Sequence, residues 1–288
     1  MASTPELLAQ GEQLAAAALD LAQHEWRDRL VAAYALGSLA HGGFSAVSDI
    51  DVAFVLGDPL LATDSESVSS LVDSIKASRK PFADRLSVFW GSVRTLTHEA
   101  QGGRFPPLDR LDLIKYGRLI AGTDVRTGLR PPSRKELVVA GAEFALWRLA
   151  TGEVIAKIRN AESLARSDSK TLTKLILYPV RFMFTAQTGD VGRNEAAVEH
   201  YVARAKGPAA ALVRLALDWR NQAPPPGDVA AVRAVSAGAV PLYEDFLSDH
   251  EDRLRHYERQ DLAQAFSKWR QDLQASVCMV DNEHGSSS

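Results

Sequence analysis

The spacing of apolar residues in the first half of the chain alternates between helical and strand-like periods. Apolar residues recur every three or four positions over 6–29, which predicts a long amphipathic helix. Continuous apolar runs at 30–36 and 52–56 are typical of buried strands, and a loop containing glycine separates them. The next predicted helix begins at Asp64, and we expect the Asp64 side chain to cap its first turn. A third strand is predicted after this helix, at 85–90.

A loop, a short helix and a last strand complete this half. Gly102-Gly103 and Pro106-Pro107 predict a loop over 92–108. A short helix is expected over 108–116, and strand-like residues follow at 117–122. The order helix, strand, strand, helix, strand predicts a small mixed β-sheet backed by helices.

The second half carries helical spacing almost throughout. Neither residue of Pro131-Pro132 can join a helix interior, so we predict one domain over 1–130 and another over 131–288. Ser133 and Glu136 then have the spacing of a capping box. Further helices are predicted over 136–165, 170–187, 194–205, 208–220, 229–247 and 252–277. The predicted fold class is therefore α+β, a small mixed sheet followed by an all-helical C-terminal domain.

Composition narrows the classes of partner. The 288 residues are 46% hydrophobic and 24% charged with a formal net charge of −3, as in a globular protein. The sequence has no cluster of basic residues, so we expect no nucleic-acid partner. It has no apolar run long enough to span a bilayer, so we expect no membrane association. The single cysteine, Cys278, cannot form an intrachain disulfide. No secretory signal is visible at the N-terminus, so we expect a cytoplasmic location.

The most chemically specific feature is a pair of aspartates at the second strand. Asp49 and Asp51 are two positions apart, so on a strand their carboxylates point to one face while Ile50 points to the core. Neighbouring carboxylates repel unless a cation lies between them, and Mg²⁺ takes such oxygen ligands while keeping phosphate oxygens. Alone, the pair is also common as solvated strand-end carboxylates, and Gly37-Ser38 is an ordinary turn. Together, with strands on both sides, they indicate a phosphate-and-metal site.

Two motifs resemble one enzyme family. Gly37-Ser38, ten intervening residues and Asp49-x-Asp51 resemble the motif of the nucleotidyltransferase superfamily, which includes DNA polymerase β and the antibiotic nucleotidyltransferases. Ile176–Phe184, followed by Thr188-Gly189 and Glu195–Val198, resembles the helical C-terminal domain of aminoglycoside adenylyltransferases of the streptomycin/spectinomycin type. The resemblance implies a nucleotidyltransferase domain followed by a helical domain that binds substrate or nucleotide.

The resemblance also implies a reaction. The chain would transfer a nucleoside monophosphate, with AMP from ATP as the expected case, to a hydroxyl of a small-molecule acceptor, for which an aminoglycoside-like compound is one candidate. Asp49 and Asp51 would bind Mg²⁺. The residues implied in nucleotide binding are Gly37, Ser38, Ser48, Lys174 and Arg181. Lys170, Lys174 and Arg181 share a helix face, although a face with three cations is also common as a solvated surface.

One departure from the family pattern affects catalysis. The family places a third carboxylate on the following strand, and the aligned position here is Ser87, which neither binds Mg²⁺ well nor accepts a proton. Loss of a general base lowers a rate by about 10²- to 10⁴-fold. Three alternatives are open. Asp84 takes the role, a carboxylate of the helical domain such as Glu143 or a group of the acceptor replaces it, or the chain is a catalytically degenerate nucleotide-binding regulatory protein.

Three further predictions concern single side chains. Pro179, inside a predicted helix, leaves the carbonyl of Leu175 without its helical partner. Trp147 and Phe182 have a spacing typical of core packing rather than of a stacking platform. His41, in the glycine-bearing loop, is either a phosphate contact or a surface residue.

Overall fold

The computed structural model describes residues 4–275; Cys278 and the end of the last predicted helix lie outside the described residues. The chain divides into two compact units between Pro132 and Ser133. We refer to the part before this division as the N-terminal unit and to the part after it as the helical unit. Within residues 4–275, no helix combines the length and the apolar character needed to cross a membrane.

The N-terminal unit is built on a four-stranded mixed sheet. Its strands are β1 (Leu30–Leu36), β2 (Ile50–Leu56), β3 (Leu86–Ser92) and β4 (Arg118–Gly122). Its helices are α1 (Thr4–Trp26), α2 (Gly37–His41), α3 (Asp64–Ala77), α4 (Val93–Leu96) and α5 (Pro107–Tyr116). The strand order is β3–β2–β1–β4, with β2 and β3 parallel and the other two pairs antiparallel. The predicted mixed sheet is confirmed, although the predicted loop over 92–108 begins with the short helix α4.

The two faces of the sheet pack against different helices because strand side chains alternate. Ile50, Val52 and Phe54 are buried with residues of α1 and α3. Ala53 and Val55 are buried on the other face, with residues that include Leu113 of α5. Asp51 belongs to the second series, so its side chain lies on the face that α5 covers.

Asp64 is an anchor between two helices rather than the cap of α3. The N-cap is Thr63, and Asp64 lies buried in the first turn. Its carboxylate accepts two hydrogen bonds of 2.8 Å from the Arg29 guanidinium and one of 3.2 Å from Trp26 Nε1. These hydrogen bonds from Arg29 lower the pKa of Asp64. The predicted cap is wrong, because the carboxylate binds Trp26, at the end of α1, and Arg29, just beyond it, and these donors meet it only in the folded chain.

The helical unit consists of helices in its described part. They are α6 (Arg134–Leu149), α7 (Gly152–Arg159), α8 (Ala161–Ala165), α9 (Ser169–Thr188), α10 (Asn194–Arg204), α11 (Pro208–Trp219), α12 (Val229–His256) and α13 (Gln260–Gln274). The predicted capping box at α6 is confirmed. The Ser133 hydroxyl accepts from the Glu136 amide at 3.2 Å, and the Glu136 carboxylate accepts from the Ser133 amide at 2.8 Å.

The single helix predicted over 136–165 is wrong, since three helices occupy this stretch. Thr151 and Asn160 each turn a side-chain oxygen to the amide three residues onward, at 3.3 and 2.9 Å. Such side chains start new helices by satisfying amides that the first turn leaves without a partner. The periodicity of apolar residues continued through both positions and therefore did not reveal the breaks.

The boundary predicted between 247 and 252 is also wrong, because α12 runs through it. Polar residues interrupt the apolar spacing there, but His250 and Glu251 are both buried in the folded unit. The helix ends at His256 with Tyr257 as its C-cap, and the next residue, Glu258, has a φ of +61° in the left-handed region. Tertiary packing therefore extends this helix beyond what local pattern indicates.

The carbonyl that Pro179 frees within α9 has a defined partner. The Tyr243 hydroxyl of α12 donates to the Leu175 carbonyl at 2.8 Å, and both groups are buried. The predicted loss of the helical partner is thus confirmed, and the hydrogen bond ties α9 to α12. At its other end α9 stops at Gly189, which has a φ of +74°.

Candidate active site

Asp51 and Ser87 are paired in register on the parallel strands β2 and β3. Leu36 of β1 pairs with Asp51 on its other side, so the three residues form a row across the sheet. Asp49 directly precedes β2, and both aspartates are partly buried. Asp84 lies before β3 with 82% of its side chain exposed, next to Arg85. The strand position opposite the aspartate pair is therefore occupied by Ser87 and not by Asp84.

Gly37 follows β1 directly and lies against the Asp51 carboxylate. Its φ of +59° is in the left-handed region, which glycine adopts without strain. A Cβ at this position would lie 2.6 Å from Asp51 Oδ2, closer than nonbonded atoms approach each other. The Gly37-Ser38 pair, which begins the short helix α2 rather than a simple turn, is thus adjacent to the second aspartate. The two halves of the sequence motif meet at one end of the sheet.

The loop between α2 and β2 is held by its own polar groups. The buried Ser48 hydroxyl accepts a hydrogen bond from the Ser45 amide at 3.0 Å. The Arg85 guanidinium donates to the Ala46 carbonyl and so connects the loop to the start of β3. These contacts brace the backbone that leads into Asp49.

Two carboxylates of helix α5 that the sequence did not predict as site residues also belong to this region. Asp112 accepts a hydrogen bond from the Gly37 amide at 2.7 Å. Burial and the negative charges of Asp51 and Asp112 raise the pKa of Asp109 to about 8, while Arg104 opposes the shift. Asp109 is therefore within electrostatic range of Asp51. The three-residue spacing of Asp109 and Asp112 on one helix face was visible in the sequence, but their position over the sheet was not.

His41, at the end of α2, also contacts this cluster. Its Nε2 atom lies 3.9 Å from Asp112 Oδ1, and its ring meets the Tyr116 ring at 5.7 Å between centroids. Only 12% of the side chain is exposed, so the surface interpretation of His41 is wrong. The helix α5 packs over the loop and encloses the imidazole, which a local pattern cannot show.

The carboxylates of Asp49 and Asp51 suit a hard divalent cation that binds together with a nucleotide. Asp49 and Asp51 would supply carboxylate oxygens to such an ion. Gly37 leaves room for the Asp51 carboxylate, because a Cβ at position 37 would lie 2.6 Å from Asp51 Oδ2. Within residues 4–275, no group of three or more His, Cys, Asp or Glu side chains is arranged to hold a metal ion. Mg²⁺ is usually bound by one or two carboxylates with substrate phosphates rather than by a cage of protein ligands. The aspartate pair fits that mode of binding.

The predicted cations of the helical unit occupy two different environments. Lys170 and Lys174 line one cavity of about 690 Å³ beside the first half of α9. Arg181 is held elsewhere on α9, where its Nε donates to the Gly192 carbonyl at 2.6 Å and its guanidinium lies 5.7 Å from the Tyr178 ring centroid. Glu143, the remote carboxylate considered above, lies 3.3 Å from Arg259 in an ion pair within the same unit.

Comparison with known proteins agrees with the architecture. No family model and no curated protein sequence matches the chain. Among solved structures, the chain is similar to spectinomycin adenyltransferase AAD(9) from Enterococcus faecialis, solved with ATP and spectinomycin, with a TM-score of 0.54 and 13% sequence identity. The match covers 78% of this chain and 97% of that chain. The chain therefore shares the fold of that adenyltransferase, in agreement with the sequence resemblance.

Proposed function

We propose that the chain is a Mg²⁺-dependent nucleotidyltransferase that transfers a nucleoside monophosphate, with AMP from ATP as the expected case, to a hydroxyl of a small-molecule acceptor. The contact between Gly37 and Asp51 carries the proposal, because it joins the Gly-Ser motif to the aspartate pair. The shared layout supports it, since the similar adenyltransferase was solved with ATP and spectinomycin. An aminoglycoside-like acceptor is accordingly the first to test.

Each motif residue has a proposed role. Asp49 and Asp51 would hold the ion, which when bound neutralises triphosphate charge and polarises the α-phosphoryl group. Because the Gly37 amide already donates to Asp112, we assign the phosphate contact of the pair to Ser38 and the shaping of the site to Gly37. Ser48 positions the loop that precedes Asp49. Lys174 and Arg181 are the proposed nucleotide contacts of the helical unit.

Asp109 is the carboxylate that we assign to the role left open by Ser87. In the transfer, an acceptor oxygen bonds to the α-phosphorus, the bond from that phosphorus to the pyrophosphate oxygen breaks, and the hydroxyl proton passes to Asp109. Without the ion the pKa of Asp109 is raised to about 8, so the group holds a proton near neutral pH. Positive charge nearby favours the ionised form, so the loaded site keeps this group ready to accept the proton.

The pairing of Ser87 with Asp51 favours a second candidate function. With a hydroxyl at the position where the family carries a carboxylate, the chain would bind nucleotide and Mg²⁺ but turn over slowly or not at all. In that case it is a catalytically degenerate nucleotide-binding protein that acts as a regulator. The two candidates share the nucleotide site and differ in turnover.

Isothermal titration with ATP, with and without Mg²⁺, tests the shared site. Asp49→Asn should abolish Mg²⁺-dependent binding of ATP. Asp84→Asn is the matched control, because Asp84 is an exposed carboxylate outside the row of Asp51 and Ser87, and it should bind as the unmodified protein does. Full-strength binding by Asp49→Asn would show that the metal assignment is wrong.

Pyrophosphate release over a panel of acceptors that begins with spectinomycin then separates the two candidates. Release with an acceptor supports the transferase, and binding without release across the panel supports the regulator. For the transferase, Asp109→Asn should lower turnover by about 10²- to 10⁴-fold while ATP still binds. Unchanged turnover in Asp109→Asn would remove Asp109 from the reaction.

A further inference from the structure

The cavity beside the first half of α9 lies wholly within the helical unit. Its volume of about 690 Å³ is typical of a small-molecule site, which spans roughly 300–1,000 Å³. Four cationic and two acidic side chains line it, namely Arg148, Lys157, Lys170, Lys174, Glu153 and Asp168. The lining therefore carries an excess of positive charge.

Both acidic residues of the lining are engaged by neighbours on their own helices. The Glu153 carboxylate lies 2.9 Å from Lys157 Nζ. Asp168 is the N-cap of α9 and accepts from the Thr171 amide at 3.0 Å and from the Thr171 hydroxyl at 2.5 Å. Because hydrogen bonds from Thr171 leave the charge of Asp168 in place, the lining as a whole keeps two more cationic than acidic side chains.

Trp147 gives the cavity an exposed aromatic wall. Of the five tryptophans in the chain, Trp147 is 71% exposed, and the other four are buried. The prediction that Trp147 packs in the core is wrong. Phe144, which Trp147 contacts, is itself 40% exposed, so the two rings form a contiguous aromatic surface in water, and such a patch is typical of a contact site.

The exposed ring rests on a fixed aromatic support. Trp147 meets Phe144 at 5.8 Å between centroids, and Phe144 meets Tyr178, another lining residue, at 6.1 Å. Tyr178 stacks on Phe182 at 5.9 Å, and Phe182 stacks on the fully buried Phe246 at the same distance. The series connects the cavity wall to the core, so a ligand would meet rings that are already in place.

We propose that this cavity binds a small molecule in which a ring carries one or more phosphate groups. The ring packs against Trp147 and Tyr178, and the phosphate binds the ammonium groups of Lys170 and Lys174. Phosphate is the favoured anionic group, because lysine ammonium groups commonly bind phosphate as point charges. A cationic ligand is disfavoured by the lining. Lys174 takes part in both this proposal and the proposed function. The evidence for this proposal, however, is the lining of the cavity and not the aspartate motif.

The exposure of Trp147 supplies a test of the local charge. Aqueous quenchers reach Trp147 before the four buried tryptophans, so iodide and caesium ions sample its surroundings. A cation-lined cavity attracts iodide and repels caesium, and we expect iodide to quench the accessible emission several-fold more strongly. Trp147→Phe should remove that accessible fraction. Equal quenching by the two ions, or stronger quenching by caesium, would overturn the proposal.

Four probes, titrated into the full chain without divalent ions, test the ligand class. AMP and ribose 5-phosphate carry a ring and a phosphate, adenosine lacks the phosphate, and spectinomycin is cationic. We expect AMP or ribose 5-phosphate to protect Trp147 from iodide and to bind at least tenfold more tightly than adenosine and spectinomycin. Tighter binding of AMP identifies a nucleotide as the ligand type, and tighter or equal binding of ribose 5-phosphate identifies a sugar phosphate. Adenosine equal to AMP, or spectinomycin as the tightest ligand, contradicts the proposal.

Variants localise the binding. Lys170→Ala together with Lys174→Ala should weaken binding of the phosphate probe about tenfold or more, and Trp147→Ala should do so by a similar factor. Lys268→Ala is the control, since Lys268 is exposed on α13 and does not line the cavity. Asp49→Asn should leave this Mg²⁺-free binding intact. If Asp49→Asn abolishes binding of the phosphate probe, the probe was bound at the aspartate site of the N-terminal unit and the cavity proposal fails. This outcome is independent of the titration with Mg²⁺ and ATP that tests the proposed function.

Discussion

Ser87 lies opposite Asp51 on adjacent parallel strands, at the position for which the sequence resemblance predicts a third carboxylate. Burial and the negative charge of Asp51 instead raise the pKa of Asp109, which belongs to helix α5. The candidate site therefore draws two aspartates from the segment that enters β2 and further carboxylates from a helix. This distribution determines which substitutions distinguish a working transferase from a nucleotide-binding protein.

Ser87→Asp restores a carboxylate beside Asp51. If turnover is limited by the missing acid on this strand, and Asp109 does not replace it, pyrophosphate release should rise at least tenfold, since a general base contributes about 10²- to 10⁴-fold. Ser87→Asn, which has a similar shape and no charge, should produce no such rise. Unchanged or lower activity in Ser87→Asp would indicate that Asp109 already performs the role.

Asp109→Asn should change how stability depends on pH. In the folded chain the pKa of Asp109 is raised to about 8 from an ordinary value of 3.8, so between these values the folded state keeps a proton that the unfolded state has released. Stability therefore falls as pH rises through this window, by up to about 1.4 kcal/mol per pH unit from this group. Thermal melts without divalent ions should show Asp109→Asn more stable than the unmodified protein at pH 8 to 9, with the difference shrinking towards pH 4. A difference that is constant with pH would contradict the shifted pKa.

Gly37→Ala should disrupt the aspartate pair. The added Cβ would lie 2.6 Å from Asp51 Oδ2, so the carboxylate has to move, and the φ of +59° adds backbone strain of about 1 kcal/mol. We expect Mg²⁺-dependent ATP binding to weaken at least tenfold in titration calorimetry. Gly42→Ala is the matched control, because Gly42 has a φ of +93° but open space around its Cβ position. It should lose stability with little loss of ATP binding, and equal losses in both variants would mean that strain alone explains the effect.

Tyr243→Phe should destabilise the helical unit. The hydroxyl is the partner of the Leu175 carbonyl that Pro179 frees, and a buried carbonyl without a partner costs about 1–3 kcal/mol. Tyr201→Phe is a milder comparison, because the Tyr201 hydroxyl donates to Asp245, which is exposed and can bond to water instead. Urea unfolding measures both. A Tyr243→Phe loss no larger than that of Tyr201→Phe would show that the freed carbonyl finds another donor.

The elements that could be predicted from sequence are those with a local cause. Continuous apolar runs located β1 and the body of β2, because a buried strand needs apolar side chains on both faces. The capping box at Ser133 and Glu136 and the freed carbonyl at Leu175 also follow from short-range geometry. The long helix α12 and the breaks at Thr151 and Asn160 did not follow, because packing and side-chain caps override periodicity there.

By itself, the sequence determined that Asp49 and Asp51 are two positions apart at a buried strand and that a mixed sheet precedes a set of helices, since these depend on residue order and strand alternation. Tertiary structure alone decided that Asp109 comes within range of Asp51 and that Trp147 is left in solvent. Both outcomes depend on how helices pack on elements distant in the chain. No periodicity of a helix specifies what lies opposite its face, so only the folded chain reveals these neighbours.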